Sequence, residues 1–488
     1  MLRLGSSVSA FSIDNAFTIA NGESLISGSS DVNLSNTLTI DNGGKLSSGS
    51  GDVQISEALT LNGEIEQGGG ILNLIKGGTV GATGRLDVGD SELKLGAALN
   101  VSGTLAANSA SQWSGWSGTL DLTAGTLEAG GGSLSLSQFS TGAGTTLKLS
   151  ADTEITSTSD YTFGTVNLSG KKLTLGGNGG LTLPNALTIA SGSKIETKTS
   201  NLTLSSALQL NSGSITSTGG TLSFGGAMTL GAAGTLDVTD STFSAGGVLD
   251  FSAGTFTTSD NSKLNLNAAT TLSTSSMVTF ENIIFNGNAL NLGTGSTHLK
   301  LCPSGSEHYV YPNTTFNTGP GSLTMVCPLK IPGSAQWTST GGTISLDKGA
   351  YVVQNSKFSI PNTTLVLGGV ERHLRVFDGG NLILSNSTLN TNNNRVLISS
   401  TLEVEGNQDL SAVTSIDTTV FRLTGDTTVN SSSSALTIGT LDLANFALTL
   451  NDQMAGLNVK QAVTLDAATE QIVSGDADLS LNGGITVS

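Results

Sequence analysis

The residues of this chain best suited to chemistry lie close together. Both cysteines, all three histidines and three of the four tyrosines fall between His298 and His373. Within that stretch, PSGSEHYVYPNTTFNTGPGS (residues 303–322) reads as a loop, and His308, Tyr309 and Tyr311 are its candidate contact residues. Insertions in repeat proteins gather on one face and carry binding; the alternative is an enlarged turn without a role. The run Glu371-Arg372-His373-Leu374-Arg375 is the one dense charged cluster. With no carboxylate pair or nucleophile beside it, the run reads as an exposed strand or turn. Trp113 and Trp116, in SQWSGWSG, form a second aromatic concentration. Two indoles among small neighbours suit an exposed sugar-stacking platform, or plug a wide interior.

Other chemistries find no foothold. Polysaccharide cleavage needs converging carboxylates, or a calcium site with a basic residue. Asp237, Asp240 and Asp250 are the densest acidic set in the regular part of the chain, without Arg or His nearby, and read as solvated turn residues. GGNGGLTL (176–183) lacks the Asp of a calcium nonapeptide. No Gly-rich loop leads into a helix, so a phosphate loop is excluded. Ser is everywhere and the histidines share one segment, so no Ser-His-Asp set can be defended. No catalytic residue, metal site or cofactor is expected. Ice binding needs a regular Thr-x-Thr rank, and the outward series Thr188, Gln209, Thr229, Asp250, Thr271, Asn291 is mixed.

Composition limits what can position these residues. Of 488 residues, Gly, Ser and Thr make up 194, aromatics only 5% and charged residues only 12%, so a core filled mainly by aromatic rings is not expected. The 37% hydrophobic residues recur in pairs rather than at random, which argues against disorder. The net charge of −17 opposes nucleic acid and anionic membrane surfaces as partners. There is no apolar run long enough for a membrane-spanning helix. The N-terminus, MLRLGSSVSAFSIDN, has no apolar segment of signal-peptide length, so an export signal is expected outside this chain or not at all.

The pairs repeat. Leu187/Ile189, Leu208/Leu210, Met228/Leu230, Leu249/Phe251, Leu272 and Leu290/Leu292 form one series, stepping by about 20 or 21 residues. Ile195, Ile215, Leu236, Phe256 and Met277 form a second series, and Leu202, Leu222, Phe243, Leu264 and Ile284 a third. Phe17/Ile19, Leu38/Ile40 and Leu59/Leu61 begin the same pattern near the N-terminus, and Leu436/Ile438, Leu457/Val459 and Leu479/Leu481 continue it near the C-terminus. Apolar–polar–apolar at each station is a short strand with one buried face, and the Gly-Gly, Asn-Gly and Ser-Gly dipeptides between stations supply turns. Three short strands per coil of about 20–21 residues define a single long parallel β-helix, an all-β solenoid, expected to wind right-handed because the six-residue period of the left-handed type is absent. Residues 1–297 are regular, 298–375 carry irregular coils with the Pro/Cys/His/Tyr-rich insertion, and 376–488 resume the solenoid.

Stacking bears on the cysteines. Residues one coil apart sit about 4.8 Å from each other, within disulfide range. Strand parity opposes the bond: if Leu299 and Leu301 face inward, Cys302 faces out, whereas Cys327 shares the side of Leu323 and Met325. A bulge or turn after Leu301 must restore the parity.

Units such as ALTLNGEI, ALNVSGTL, GTLDLTAGTLEAGGGSLSLS and ALTIASGSKI resemble, in texture and period, the passenger domains of bacterial autotransporters and filamentous-haemagglutinin-type adhesins. The resemblance covers nearly all of the chain outside roughly 298–375. It implies export, display at the cell surface, and an adhesive or structural role. An extracellular, non-enzymatic rod, stalk or filament subunit is therefore expected, with contacts made by loops and outer columns. Its partners would be other copies of itself or cell-surface glycans; neither end shows a capping helix, so the chain is expected to be a piece of a longer rod or to pair with other copies at its ends. A polysaccharide-binding or -cleaving β-helix is the alternative.

Overall fold

The computed structural model describes the whole chain except residues 6–7, 109, 114–116, 138, 294–296, 305–306, 311–314, 369–372, 416, 432–434, 452–453 and 488. Every regular element among the described residues is a β-strand, and the strand pairings are parallel. No helix is present there, and so none long and apolar enough to cross a membrane. The strands stack as a β-solenoid, in two units, Met1–Ser241 and Thr242–Ser488.

In the first unit the strands Ser24–Gly28, Asp31–Leu34 and Leu38–Ile40 make up one coil, and each pairs with its counterpart one coil later. Leu25 stands opposite Leu46, then Ile65, Leu86, Leu105, Leu127 and Leu147, all buried. Such a column removes its branched side chains from water while the backbone bonds run coil to coil, so strands of two to five residues persist that would not survive alone. Coil length is less uniform than the repeat suggests. Leu38 pairs with Leu59, 21 residues on, but Leu59 pairs with Gly78, 19 residues on. Two of the expected short strands also fuse, in Leu208–Ser217 and again in Met228–Asp237. Gly213, at φ +78°, turns the first of these without leaving the ladder.

The outward residues of this unit pair by charge. Lys45 lies 3.3 Å from Glu64 and 2.7 Å from Glu66, Arg85 lies 2.5 Å from Glu128, and Lys148 lies 3.2 Å from Glu128. Lys45 and Lys148 pair with carboxylates on the adjacent coil, the sheet form of a cross-strand pair, while Arg85 reaches Glu128 across the intervening strand Thr104–Ala107. Lys45 accordingly holds the Glu66 carboxyl below its ordinary range, and Arg85 does the same for Glu128.

In the second unit one face is built from strands running from Met277–Phe280 to Thr388–Asn390, and another from His308–Tyr309 to Val413–Ser415. Its interior departs from the aliphatic expectation. Phe243, Phe251, Phe256 and Phe280 cluster with successive ring centroids 6.1, 4.5 and 6.3 Å apart. Phe316, Trp337 and Phe358 form a second stack at 5.7 and 5.8 Å. In the second stack Trp337 and Phe358 are register partners on adjacent coils, whereas Phe243, Phe251 and Phe256 meet across the interior from consecutive strands.

Close coil spacing places a demand on the turns. A Cβ added to Gly84 would come within 2.2 Å of the Leu61 carbonyl oxygen, and one on Gly103 within 2.2 Å of that of Gly84. At Gly89 the nearest atom would be 3.5 Å away. We expect Gly84→Ala to lower stability by about 1–3 kcal/mol, as overpacking against fixed backbone does. Gly89→Ala should be neutral or slightly stabilising. Urea midpoints for the two variants check this, and equal midpoints would refute the packing account.

Candidate functional site

The irregular segment lies wholly within the second unit, and some of its coils are enlarged. Leu299 pairs with Leu323 and Ala350 with Leu374, each 24 residues on, and Ala289 pairs with Thr315, 26 residues on. Cys302 and Cys327 are joined as a disulfide at a Cα–Cα distance of 5.6 Å. Parity is restored at Cys302 itself, which adopts φ +57° and so turns inward directly after the inward Leu301. The Cys302 N–H donates to the Phe280 carbonyl at 3.1 Å, and the Ser304 N–H donates to Glu281 at 3.3 Å, tying the root of the loop to the preceding coil.

The strand His308–Tyr309 returns the chain to the solenoid, with His308 opposite Leu329 and Tyr309 opposite Lys330. This corrects the expectation for His308. Sharing the inward column with Leu329, it is only 3% exposed and is enclosed by Phe285, Leu301, Val310, Phe316 and Trp337. Burial among these apolar groups pushes its pKa down to about 4.

Tyr309 points the other way and is 46% exposed. It begins an outward column in which Tyr309, Lys330, Tyr351 and Arg375 occupy successive coils. The Lys330 ammonium lies 5.4 Å from the Tyr309 ring centroid and 2.6 Å from the Glu307 carboxylate. The Tyr309 hydroxyl donates to the same carboxylate at 2.8 Å. Lys330 foremost, then Tyr309, hold Glu307 below the ordinary carboxylate range. Beside this column Phe377, 42% exposed, lies nearly parallel to Tyr351, with centroids 6.2 Å apart and planes at 15°. Pro328, Pro332 and Val353 complete the lining of an open groove of about 490 Å³. Such a volume suits a small organic ligand.

Among the described residues the two exposed aromatic side chains, Tyr309 and Phe377, both line this groove. Sequence reasoning missed Lys330, Tyr351 and Phe377. The available signal was the spacing 309, 330, 351, 375, two steps of the regular 21 residues followed by one enlarged step of 24.

The other candidates lie apart. Trp113 sits opposite the inward Leu93, is half-buried, and packs edge-on against Phe139 at 5.2 Å. Trp116 and Tyr311 lie outside the described residues, as do Glu371 and Arg372 of the charged run, whose Arg375 is an exposed strand residue. The Asp237 carboxylate accepts from the Thr239 N–H and hydroxyl, and that of Asp250 from the Ser252 N–H and hydroxyl, so both are engaged in their own turns. Among the described residues no group of three or more His, Cys, Asp or Glu is arranged to hold a metal ion. Against this geometry stand the comparisons with known proteins: the chain matches no family model, no curated protein and no solved structure. The class it belongs to is accordingly given by architecture alone, that of the parallel β-solenoids.

Two outcomes follow from this segment. Titration of the denatured, unreduced protein should find no reactive thiol, since Cys302 and Cys327 are the only cysteines and are bonded to each other; two thiols would contradict the pairing. His308 should also make stability depend on pH. The unfolded imidazole takes up a proton near pH 6.5, the folded one only near 4. Between these values the unfolded chain binds the extra proton, so stability is full above about 6.5 and falls with acidification, by roughly 3 kcal/mol in all. His308→Leu should lose this part of the acid sensitivity. Urea midpoints of both proteins at pH 7 and 4.5 test it, and parallel falls would clear His308 of the effect.

Proposed function

We propose that this chain is a non-enzymatic surface β-solenoid with a structural and adhesive role outside the cell, and that its contacts with glycans are made at the groove between Glu307 and Phe377. The groove carries the reading: the exposed aromatic rings Tyr309 and Phe377 lie there with Tyr351 and Lys330. Backbone bonds between coils hold such rings on a rigid support, which limits the entropy lost when a ligand docks. A disulfide at the loop root fits an oxidising compartment. The Gly/Ser/Thr/Asn texture shared with bacterial surface β-helices agrees with display outside the cell.

The test is retention of the purified protein on a panel of immobilised glycans. Tyr351→Ala/Phe377→Ala should reduce retention at least tenfold without changing the urea midpoint much, since both side chains are partly exposed. Retention of the double variant equal to that of the parent protein would sink the adhesive reading.

A further inference from the structure

We infer that the groove takes a carboxylated, uronate-type polysaccharide running along the Tyr309–Lys330–Tyr351–Arg375 column, a proposal that rests on the adhesive reading and names its ligand class. The first observation is local charge. Residues 298–375 contain six Lys and Arg against three Asp and Glu, whereas the remainder of the chain contains 14 against 34. A positive segment in an otherwise acidic chain draws an anionic ligand to that segment.

The second observation is pairing. In the first unit seven of the ten Lys and Arg side chains make ion pairs with carboxylates. Of the five described in 298–375, Lys330 alone does so, with Glu307. Arg375, exposed and in register with Tyr351, has no carboxylate within 4.0 Å among the described residues. Nor does Lys348, in the turn before Ala350–Val352, nor Arg395, immediately before Val396–Ile398. Among the described residues, Arg375, Lys348 and Arg395 are thus cations without a carboxylate partner.

The third observation is alternation. Along the column, ring and cation follow one another from coil to coil, about 4.8 Å apart. A pyranose presents C–H bonds on its faces and, in a uronate, a carboxylate at its rim. The C–H face stacks on the negative face of Tyr351 or Phe377, and the carboxylate takes the guanidinium of Arg375 in a charge-assisted, bidentate contact. At Lys330 the ligand carboxylate competes with Glu307. Nucleic acid fits this surface less well, because its dense phosphates would meet the acidic surroundings.

The experiment uses the full chain and two hexasaccharides, hexagalacturonate and its fully methyl-esterified form, with a dodecathymidylate as a third probe, measured by calorimetry at low salt. Hexagalacturonate should bind at least tenfold tighter than the ester, and 0.5 M NaCl should remove most of the difference. Arg375→Gln should weaken hexagalacturonate about tenfold and leave the ester unchanged. Glu307→Gln should tighten hexagalacturonate several-fold by freeing Lys330, a gain that loss of folding cannot mimic. Equal affinity for acid and ester, tighter binding of the oligonucleotide, or no binding of either sugar would each overturn the proposal. If the glycan panel still retains the protein through Tyr351 and Phe377 in those cases, the adhesive reading survives and only the ligand class fails.

Discussion

In-register parallel pairing between successive coils is the constraint on which everything else in this protein depends. Each strand is too short to hold itself, and it is held because its hydrogen bonds run to the coils before and after it. Once pairing is in register, each interior position becomes a column. Leu25, Leu46, Ile65 and Leu86 must then be alike in size, because a side chain in a column meets its own counterparts above and below. The same spacing excludes a Cβ at turns such as Gly84, where the backbone of the neighbouring coil lies too near.

Repetition extends to the outside, where the consequences are electrostatic. Like charges repel at coil spacing; the first unit alternates signs at Lys45, Glu64 and Arg85, and where Lys172 does stand opposite Lys194, Glu196 bridges them at 3.4 and 2.8 Å. Outward columns are thus either neutral or self-compensating over much of that unit. The column through Tyr309 and Arg375 follows neither rule, and it lies where the coil length changes. Enlarged coils release the chain from the local repeat and let residue types appear that the regular columns do not carry. The disulfide between Cys302 and Cys327 ties that longer excursion to the coils beneath it.

Inside the same segment, size rather than charge sets the limits. The coils of this segment enclose Phe316, Trp337 and Phe358, and His308 completes the apolar surroundings of Phe316 and Trp337 as a neutral imidazole. The inner and outer faces of the strand His308–Tyr309 therefore differ sharply, with an apolar stack on one side and a charged aromatic groove on the other. One residue of slippage would exchange them.

Fold class was legible in the residues themselves. Alternation at Leu38-Thr39-Ile40 and its return at Leu59-Thr60-Leu61 state both the strand and the coil, because period two and a fixed step follow directly from pleat and pitch. The importance of 298–375 was legible too, from its concentration of Cys, His, Tyr and Pro. The direction in which these residues point was not. Cys302 faces inward because a non-glycine residue adopts a left-handed backbone, which no residue type announces. His308 faces inward because the loop before it re-enters the ladder opposite Leu329 rather than one position away. Lys330, Tyr351 and Arg375 meet because their coils measure 21 and 24 residues, lengths decided by which strands pair. Composition and period determined that the chain would coil; parity after each irregular turn, a property of the assembled ladder, decided which side chains face outward.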